Sequence, residues 1–583
     1  MSIFVPVLLV GALAGVAVAG DVRIAQAAPV MSSPATPLAS PVVLQGDAPD
    51  DNSMGVGAYL KGAVADLDGN PTTALQGYLG ALGEDSANIE LRRRTLELAL
   101  MAGDVPNAIR LARSLPEAEQ TTMTRLVRVV DAAHEGRLEE SRKLAREVSK
   151  VSPELLQFRL MQVYLDYGTG KDVPKLIEWL DSDGLPPSMS GRRNYHVARL
   201  WLKAGEPAKA LDALKQAALA EPGSVATTLL LGQTLARQGE PGAGAAVYDS
   251  FRAANPSLAA LVPAGKTLLN DMPRPFASTL DEDLASVLTD FGLLVWAQGA
   301  YGPARQVLNL SLWLNPNDVH ARYYTGMLLE MGGDLAVAQA EYARLLGDEV
   351  PEGVRLAAHI RLAEVQFQQG DKDTPWKVLR KLAKDYPDEP NLMRSLAQLA
   401  YAREDYREAV SYYTRLLEVM PATTPPAARM EVLFARGVAH ERRKDIDEAS
   451  EDMQAALAID PANAQILNYL GYMWVDNGRN IPEAFGLLQK AHTLQPDDGA
   501  ITDSLGWAYY KQGDYDSAQA YLQRATEQDP ESPEIYDHLG DAYLKLGQKD
   551  QAVREWQRAL DLLDEGKEGP DEGFRKRVER KLK

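Results

Sequence analysis

The chain has no cysteine among its 583 residues. That excludes disulfides, thiolate zinc sites, a cysteine nucleophile and a lipid-modified N-terminal cysteine. Histidine is scarce: His134, His196, His320, His359, His440, His492 and His538 are the full set. No two stand four apart and none belongs to an H-E-x-x-H pattern, so no metal or cofactor is expected. No G-x-S-x-G elbow occurs. Positive charge is in deficit, with a net charge of -20, opposite in sign to what a sheath of phosphate contacts needs. Nucleic acid is therefore not an expected partner.

A relaxed phosphate-loop pattern occurs once, from Ala260 through Gly265-Lys266-Thr267. A phosphate loop needs a buried strand before it and a helix whose N-terminus faces the phosphates. Here "SFRAANPS" precedes it, a helix end followed by a proline stop, and Ala260 replaces the usual first glycine. The stretch reads as a helical connector.

Long apolar runs are also missing except at the start. Residues 2–20 carry no charge and are rich in Val, Leu, Ala and Gly. Ala25-Gln26-Ala27 offers a cleavage site after Ala27, and Ala17-Val18-Ala19 a second. Residues 1–27 read as a signal peptide, with an uncleaved membrane anchor as the alternative. The expected location is the periplasm or the membrane of a Gram-negative bacterium, with membrane contact only through this segment if it is retained. Residues 28–50, rich in Pro, Ser and Ala, read as a spacer.

A repeat is plainly present. Counting from Gly499, Leu505 and Gly506 take places seven and eight. Tyr509 is at eleven, Gly513 at fifteen, Ala518 at twenty, Leu522 at twenty-four, Ala525 at twenty-seven and Pro530 at thirty-two. A shift of 34 brings Leu539, Gly540, Tyr543, Gly547, Ala552, Trp556 and Ala559 to the same places. Leu470, Gly471, Trp474, Gly478, Ala484, Leu488, Ala491 and Pro496 fill them one unit earlier, and Gly437, Ala449, Met453, Ala456 and Pro461 before that. Small residues at eight and twenty let two helix backbones approach, and large ones at eleven and twenty-four fill the space beside them. Glycine at fifteen ends the first helix in a left-handed cap, and proline stops the second.

This pattern resembles the tetratricopeptide repeat, a helix-turn-helix unit of 34 residues. The resemblance implies an all-α, right-handed solenoid of about thirteen units between roughly 54 and 563. The expected organisation is a worn N-terminal array over 51–258, an irregular connector over 259–284, a C-terminal array over 285–563 and a basic tail or capping helix over 564–583. Such a commitment of the chain to repeats leaves no catalytic domain, so an enzyme is not expected.

In this family the ligand-facing places line the first helices. They fall on Asn468, Tyr472 and Asp476 in one unit, on Asp503, Trp507, Tyr510 and Lys511 in the next, and on Asp537, Asp541 and Lys545 in the last. Tyr472 and Trp507 are not needed by the packing scheme, and aromatics ringed by polar groups are common interface anchors. The alternative is that these rings pack on the adjoining unit. The carboxylates suggest a ligand carrying Lys, Arg or a free amine. Trp296, Tyr323, Phe367, Arg394 and Tyr401 take similar places in the middle of the chain.

The last four units are also similar to the C-terminal end of bacterial envelope tetratricopeptide adaptor lipoproteins, some of which bind a processing protease. The implied function is a non-catalytic scaffold for protein or peptide partners, a periplasmic protease among the candidates. A component of an envelope-assembly or polysaccharide-export machine is the other reading. The missing lipid-anchor cysteine departs from that group.

Overall fold

The computed structural model describes residues 53–151, 155–181, 187–270, 276–420, 422, 424–571 and 573–583. The expected signal segment and spacer lie outside the described residues. Within them the protein is all-α, and no described helix is long and apolar enough to cross a membrane. The secondary structure is fourteen antiparallel helix pairs, one extra short helix and a terminal helix.

The local grammar follows the repeat. Asp514 caps helix Tyr515–Gln528 by accepting from the Ser517 amide, and Asn463 caps helix Ala464–Asp476 through Ile466. Between the paired helices Gly513 sits at φ 87° and donates its amide to Tyr509 and Tyr510 carbonyls. Two units, those built on helices Pro390–Ala402 and Pro426–Arg442, hold the same left-handed turn without glycine, at Glu404 (φ 62°) and Lys444 (φ 70°).

The close crossing is real, and each small residue faces one large one. A β-carbon on Gly506 would lie 2.8 Å from Leu522 Cγ. One on Gly471 would lie 2.8 Å from Leu488 Cγ, and one on Gly326 2.6 Å from the Tyr342 ring. The residue at place twenty-four thus lies directly over the glycine at place eight, where any side chain would overlap it.

The described residues divide at Gln369/Gly370 into two compact units. In the unit ending at Gln369, the pair Leu156–Gly168 and Val173–Asp181 is a repeat that the sequence pattern passes over. Its place eight holds Val163, so the small-residue signature is absent. Every residue from Leu156 to Asp166 is buried. The cause is a fold-back: helix Leu280–Ala297 packs on helices Leu156–Gly168 and Thr122–His134, and helix Tyr301–Leu314 packs on helix Ile89–Met101. One hydrophobic cluster runs from Ala65 to Leu200 and resumes at Leu284 to Leu314. A helix that packs on two sides buries residues all round where it does so, as Leu96, Leu98, Ala99 and Leu100 show at the end of helix Ile89–Met101.

Polar groups lock the seam. Asn309 Nδ2 donates to the Leu100 carbonyl at 2.8 Å, and His134 Nδ1 meets Asp281 at 2.8 Å. The fully buried His196 sits between the Tyr164 hydroxyl, 2.9 Å from Nδ1, and Asp290, 3.0 Å from Nε2. Burial lowers the His196 pKa against the pull of Asp290. Asp283 receives Arg199 at 2.9 Å and Lys203 at 2.5 Å. The Tyr-His-Asp trio joins three helices at a packed interface.

Within 259–284, residues Pro256–Leu261 form a 3-10 turn and Gly265–Asn270 a short helix. Ala259 to Val262 are buried, and Arg252 holds the Ala259 and Val262 carbonyls. The Gly265 amide, the group a phosphate loop would aim at its ligand, donates to Asp249 Oδ1 at 2.8 Å.

Candidate interaction face of the C-terminal repeats

The unit from Gly370 to Lys583 brings the ten candidate residues onto three successive first helices: Ala464–Asp476, Gly499–Gln512 and Pro533–Lys545. Trp507 is more enclosed than its expected place in an open groove suggests, at 9% exposed. Its indole is held between two rings. Tyr510 stacks on it at 4.6 Å with planes 5° apart, and His538 of the next repeat stacks at 4.1 Å with planes 16° apart. Lys511 Nζ lies 5.1 Å from the same ring centroid. The packing alternative for this ring is thus the one its stacking on His538 fits, while Tyr510 stays half-buried.

Asp503 is buried and meets His538 Nδ1 at 2.9 Å. Burial works against the imidazolium, but Asp503, Glu534 and Asp537 outweigh it and hold the His538 pKa up to about 9. His538 is therefore a cation at neutral pH, lying on the electron-rich face of Trp507. Tyr472, half-buried, reaches past the intervening helix to donate its hydroxyl to Glu534 Oε1 at 3.3 Å. Burial first, then the Glu534, Asp476 and Asp503 carboxylates, raise its pKa well above the ordinary phenol value.

The terminal acids are also engaged. Lys581, from helix Phe574–Lys581, lies 2.8 Å from Asp537 Oδ1 and 2.7 Å from Asp541 Oδ1. Trp556 Nε1 donates to Asp541 at 3.2 Å. Phe574 and Val578 of the same helix are buried against the last repeat. The positive group that the sequence reading sought in a ligand is supplied here by the chain itself. What stays exposed is Asp476, Lys511 and Lys545, with Asp476 and Lys511 only 3.5 Å apart. Two buried atoms on this face make no hydrogen bond among the described residues: Asn468 Oδ1 and Trp507 Nε1.

Sequence reasoning missed Glu534, His538 and Lys581. His538 directly follows a groove place, and Lys581 lies in a basic run that looks solvated. Of the mid-chain candidates, Tyr323 is buried against Tyr342, while Trp296, Phe367, Arg394 and Tyr401 are half-buried.

This is an array of helical hairpins that offers the faces of its first helices. The tetratricopeptide repeat model matches residues 198–259, 395–464, 434–498 and 504–570. Over these residues the chain carries tetratricopeptide repeats. It is 32% identical over 202 residues to the TPR repeat-containing protein PA4667 of Pseudomonas aeruginosa, a match covering 34% of this chain and 32% of that protein. It is 27% identical over 113 residues to bacteriophage adsorption protein A of Escherichia coli, covering 19% of this chain and 11% of that one. The chain thus spans a third or less of either relative's length. Among solved structures, MamA from Desulfovibrio magneticus aligns at 20% identity with a TM-score of 0.27, covering 30% of this chain and 96% of that one. A tetratricopeptide repeat protein from Parabacteroides merdae aligns at 16% identity with a TM-score of 0.38, covering 45% and 98%.

Proposed function

We propose that this chain is a non-catalytic scaffold of the bacterial cell envelope. It holds an extended segment of a partner protein along the first-helix face from Asn468 to Lys545 and serves as an adaptor for an envelope protease. The observation that carries the binding role is the pair Trp507 Nε1 and Asn468 Oδ1, one donor and one acceptor without partners at ligand-facing places. A buried polar atom left unpaired costs free energy that a ligand's peptide group, offering one acceptor and one donor, would recover. Exposed Asp476, Lys511 and Lys545 give a rim of both signs around them. The envelope placement rests on the apolar start of the sequence, on the resemblance of the last four repeats to envelope adaptors and on a relative named for bacteriophage adsorption.

Affinity purification of the full chain from an envelope fraction, beside its Asn468→Leu variant, tests the reading. A protease and cell-wall hydrolases retained by the native chain and lost by the variant are expected. Recovery of a synthase or secretin instead would assign the chain to an envelope-assembly machine. Partners retained equally by both forms would remove the face from the binding role.

A further inference from the structure

The last helix of the chain does not continue the repeat. Helix Phe574–Lys581 brings Lys581 onto Asp537 and Asp541. These carboxylates stand at places five and nine of helix Pro533–Lys545. Asn468 and Tyr472, then Asp503 and Trp507, hold the same places in the two repeats before. Four oxygens surround the ammonium: Nζ lies 2.8 and 2.9 Å from those of Asp537 and 2.7 and 2.8 Å from those of Asp541. The Trp556 ring centroid is 5.8 Å from the same nitrogen. Two carboxylates and a ring make a seat fitted to one lysine side chain.

The hold on the rest of this helix is slight. Of its 8 residues only Phe574 and Val578 are buried, while Lys576, Arg577, Glu579 and Arg580 are exposed. A helix that short is marginal by itself, so it forms where it is docked. The stretch that joins it to the last repeat holds Gly566, Gly569, Pro570 and Gly573, and Gly566 turns at φ 89°. A joint rich in glycine lets the helix leave without pulling on the repeat. A tethered occupant of this kind shuts out weak ligands by its high effective concentration. It yields to one that makes further contacts along the same row. Those contacts are on offer, because Trp507 Nε1 and Asn468 Oδ1 lie on the two preceding first helices without hydrogen bonds.

We propose that helix Phe574–Lys581 is an autoinhibitory occupant of the partner-binding face, and that a partner segment displaces it by setting a lysine of its own between Asp537 and Asp541. The inference rests on the partner-binding reading above. It adds the chemistry of one contact and the element that guards it.

A fluorescent peptide with the sequence of residues 573–583 is the probe, titrated by anisotropy against the full native chain, Val578→Asp and Lys581→Glu. Val578→Asp puts a charge into the buried apolar contact, and Lys581→Glu sets three carboxylates together, so each frees the seat. Both variants are expected to bind the peptide about tenfold or more tightly than the native chain, whose own helix competes. A peptide carrying Lys581→Ala, or the same residues shuffled, should lose that gain. Equal affinity for the native chain and the variants, or equal binding of the shuffled peptide, would overturn the proposal. So would hydrogen exchange showing protection over 499–563 abolished in both variants, since the helix would then be a structural part of the repeat. Retention of envelope proteins separates this device from the face it guards. Val578→Asp should retain more partner than the native chain. Equal retention by these two, with loss in Asn468→Leu, would overturn the inhibition and leave the face standing. Undiminished retention by Asn468→Leu would instead remove the face, while the peptide titration still decides whether the seat exchanges its lysine.

Discussion

The imidazole of His538 lies flat on the indole of Trp507, ring centroids 4.1 Å apart, while its Nδ1 meets Asp503 at 2.9 Å. Asp503 and Trp507 belong to one repeat and His538 to the next, so this cluster ties two repeats together in the middle of the candidate face. Side chains read from sequence as ligand anchors thus also carry inter-repeat packing. Each variant there must be read for stability and for binding separately.

Trp507→Ala removes the central plate of that stack. It should cost about 3 kcal/mol or more and lower the melting temperature of the C-terminal repeats. Partner affinity measured well below the new transition separates the two roles. A folded variant with native affinity would confine Trp507 to packing, whereas loss of affinity in the folded state assigns it to the ligand as well.

The His538 charge gives stability a pH dependence with a definite sign. Its folded pKa of about 9 lies above the ordinary 6.5, so the folded state holds the proton longer than the unfolded chain. The stabilisation is therefore fully present below about pH 6.5 and is lost as pH rises through about 9. Chemical denaturation between pH 6.5 and 9.5 should show stability falling across that window. His538→Gln should flatten this part of the profile, and an unchanged slope would show that other groups set it.

Lys581 neutralises Asp537 and Asp541 from the terminal helix. Burial already raises the Asp537 pKa, and Lys581 opposes that rise. Lys581→Ala should therefore destabilise the last repeat at pH 8 by roughly 1–3 kcal/mol, since it strands a buried carboxylate. With the pKa raised further, the folded state takes up the proton more readily, so acidification towards pH 5 should restore part of the loss. Melting curves at the two pH values check both halves.

The repeat was legible because its signal is local. Gly506 against Leu522 and Gly540 against Trp556 each require a small and a large residue at fixed separation, so the spacing encodes the contact. The fold-back was not legible, because Asn309 and Leu100 are more than 200 positions apart and no period links them. The trace it leaves is short: Leu96, Leu98, Ala99 and Leu100 are all buried at the end of helix Ile89–Met101, whose earlier turns keep Glu90 and Arg94 exposed. The candidate face was half legible. Its ten positions do fall on three adjacent first helices, but the charges that occupy its acids come from His538 and Lys581, whose pairing depends on tertiary contact.

The last prediction concerns two turns that violate the repeat's own rule. Glu404 and Lys444 hold the left-handed conformation that glycine occupies at Gly513 and Gly547. For a residue with a β-carbon that conformation costs roughly 1–2 kcal/mol. Both side chains are exposed. Lys444 Nζ reaches Glu441 only at 3.7 Å, and surface pairs of that kind contribute little. Glycine relieves the strain but gives the unfolded chain more freedom, which offsets about 0.4–1 kcal/mol of the gain. Glu404→Gly and Lys444→Gly should each stabilise the C-terminal unit by roughly 0.5 kcal/mol, and the pair should add, since the sites lie in different turns. Glycine is destabilising almost anywhere else on an exposed helical surface, by roughly 0.5–1 kcal/mol. Denaturation midpoints that rise for both variants, and fall for a control such as Arg554→Gly inside helix Lys549–Asp564, would establish that the turn conformation is the cause. Midpoints that fall for all three would show that neither turn stores strain.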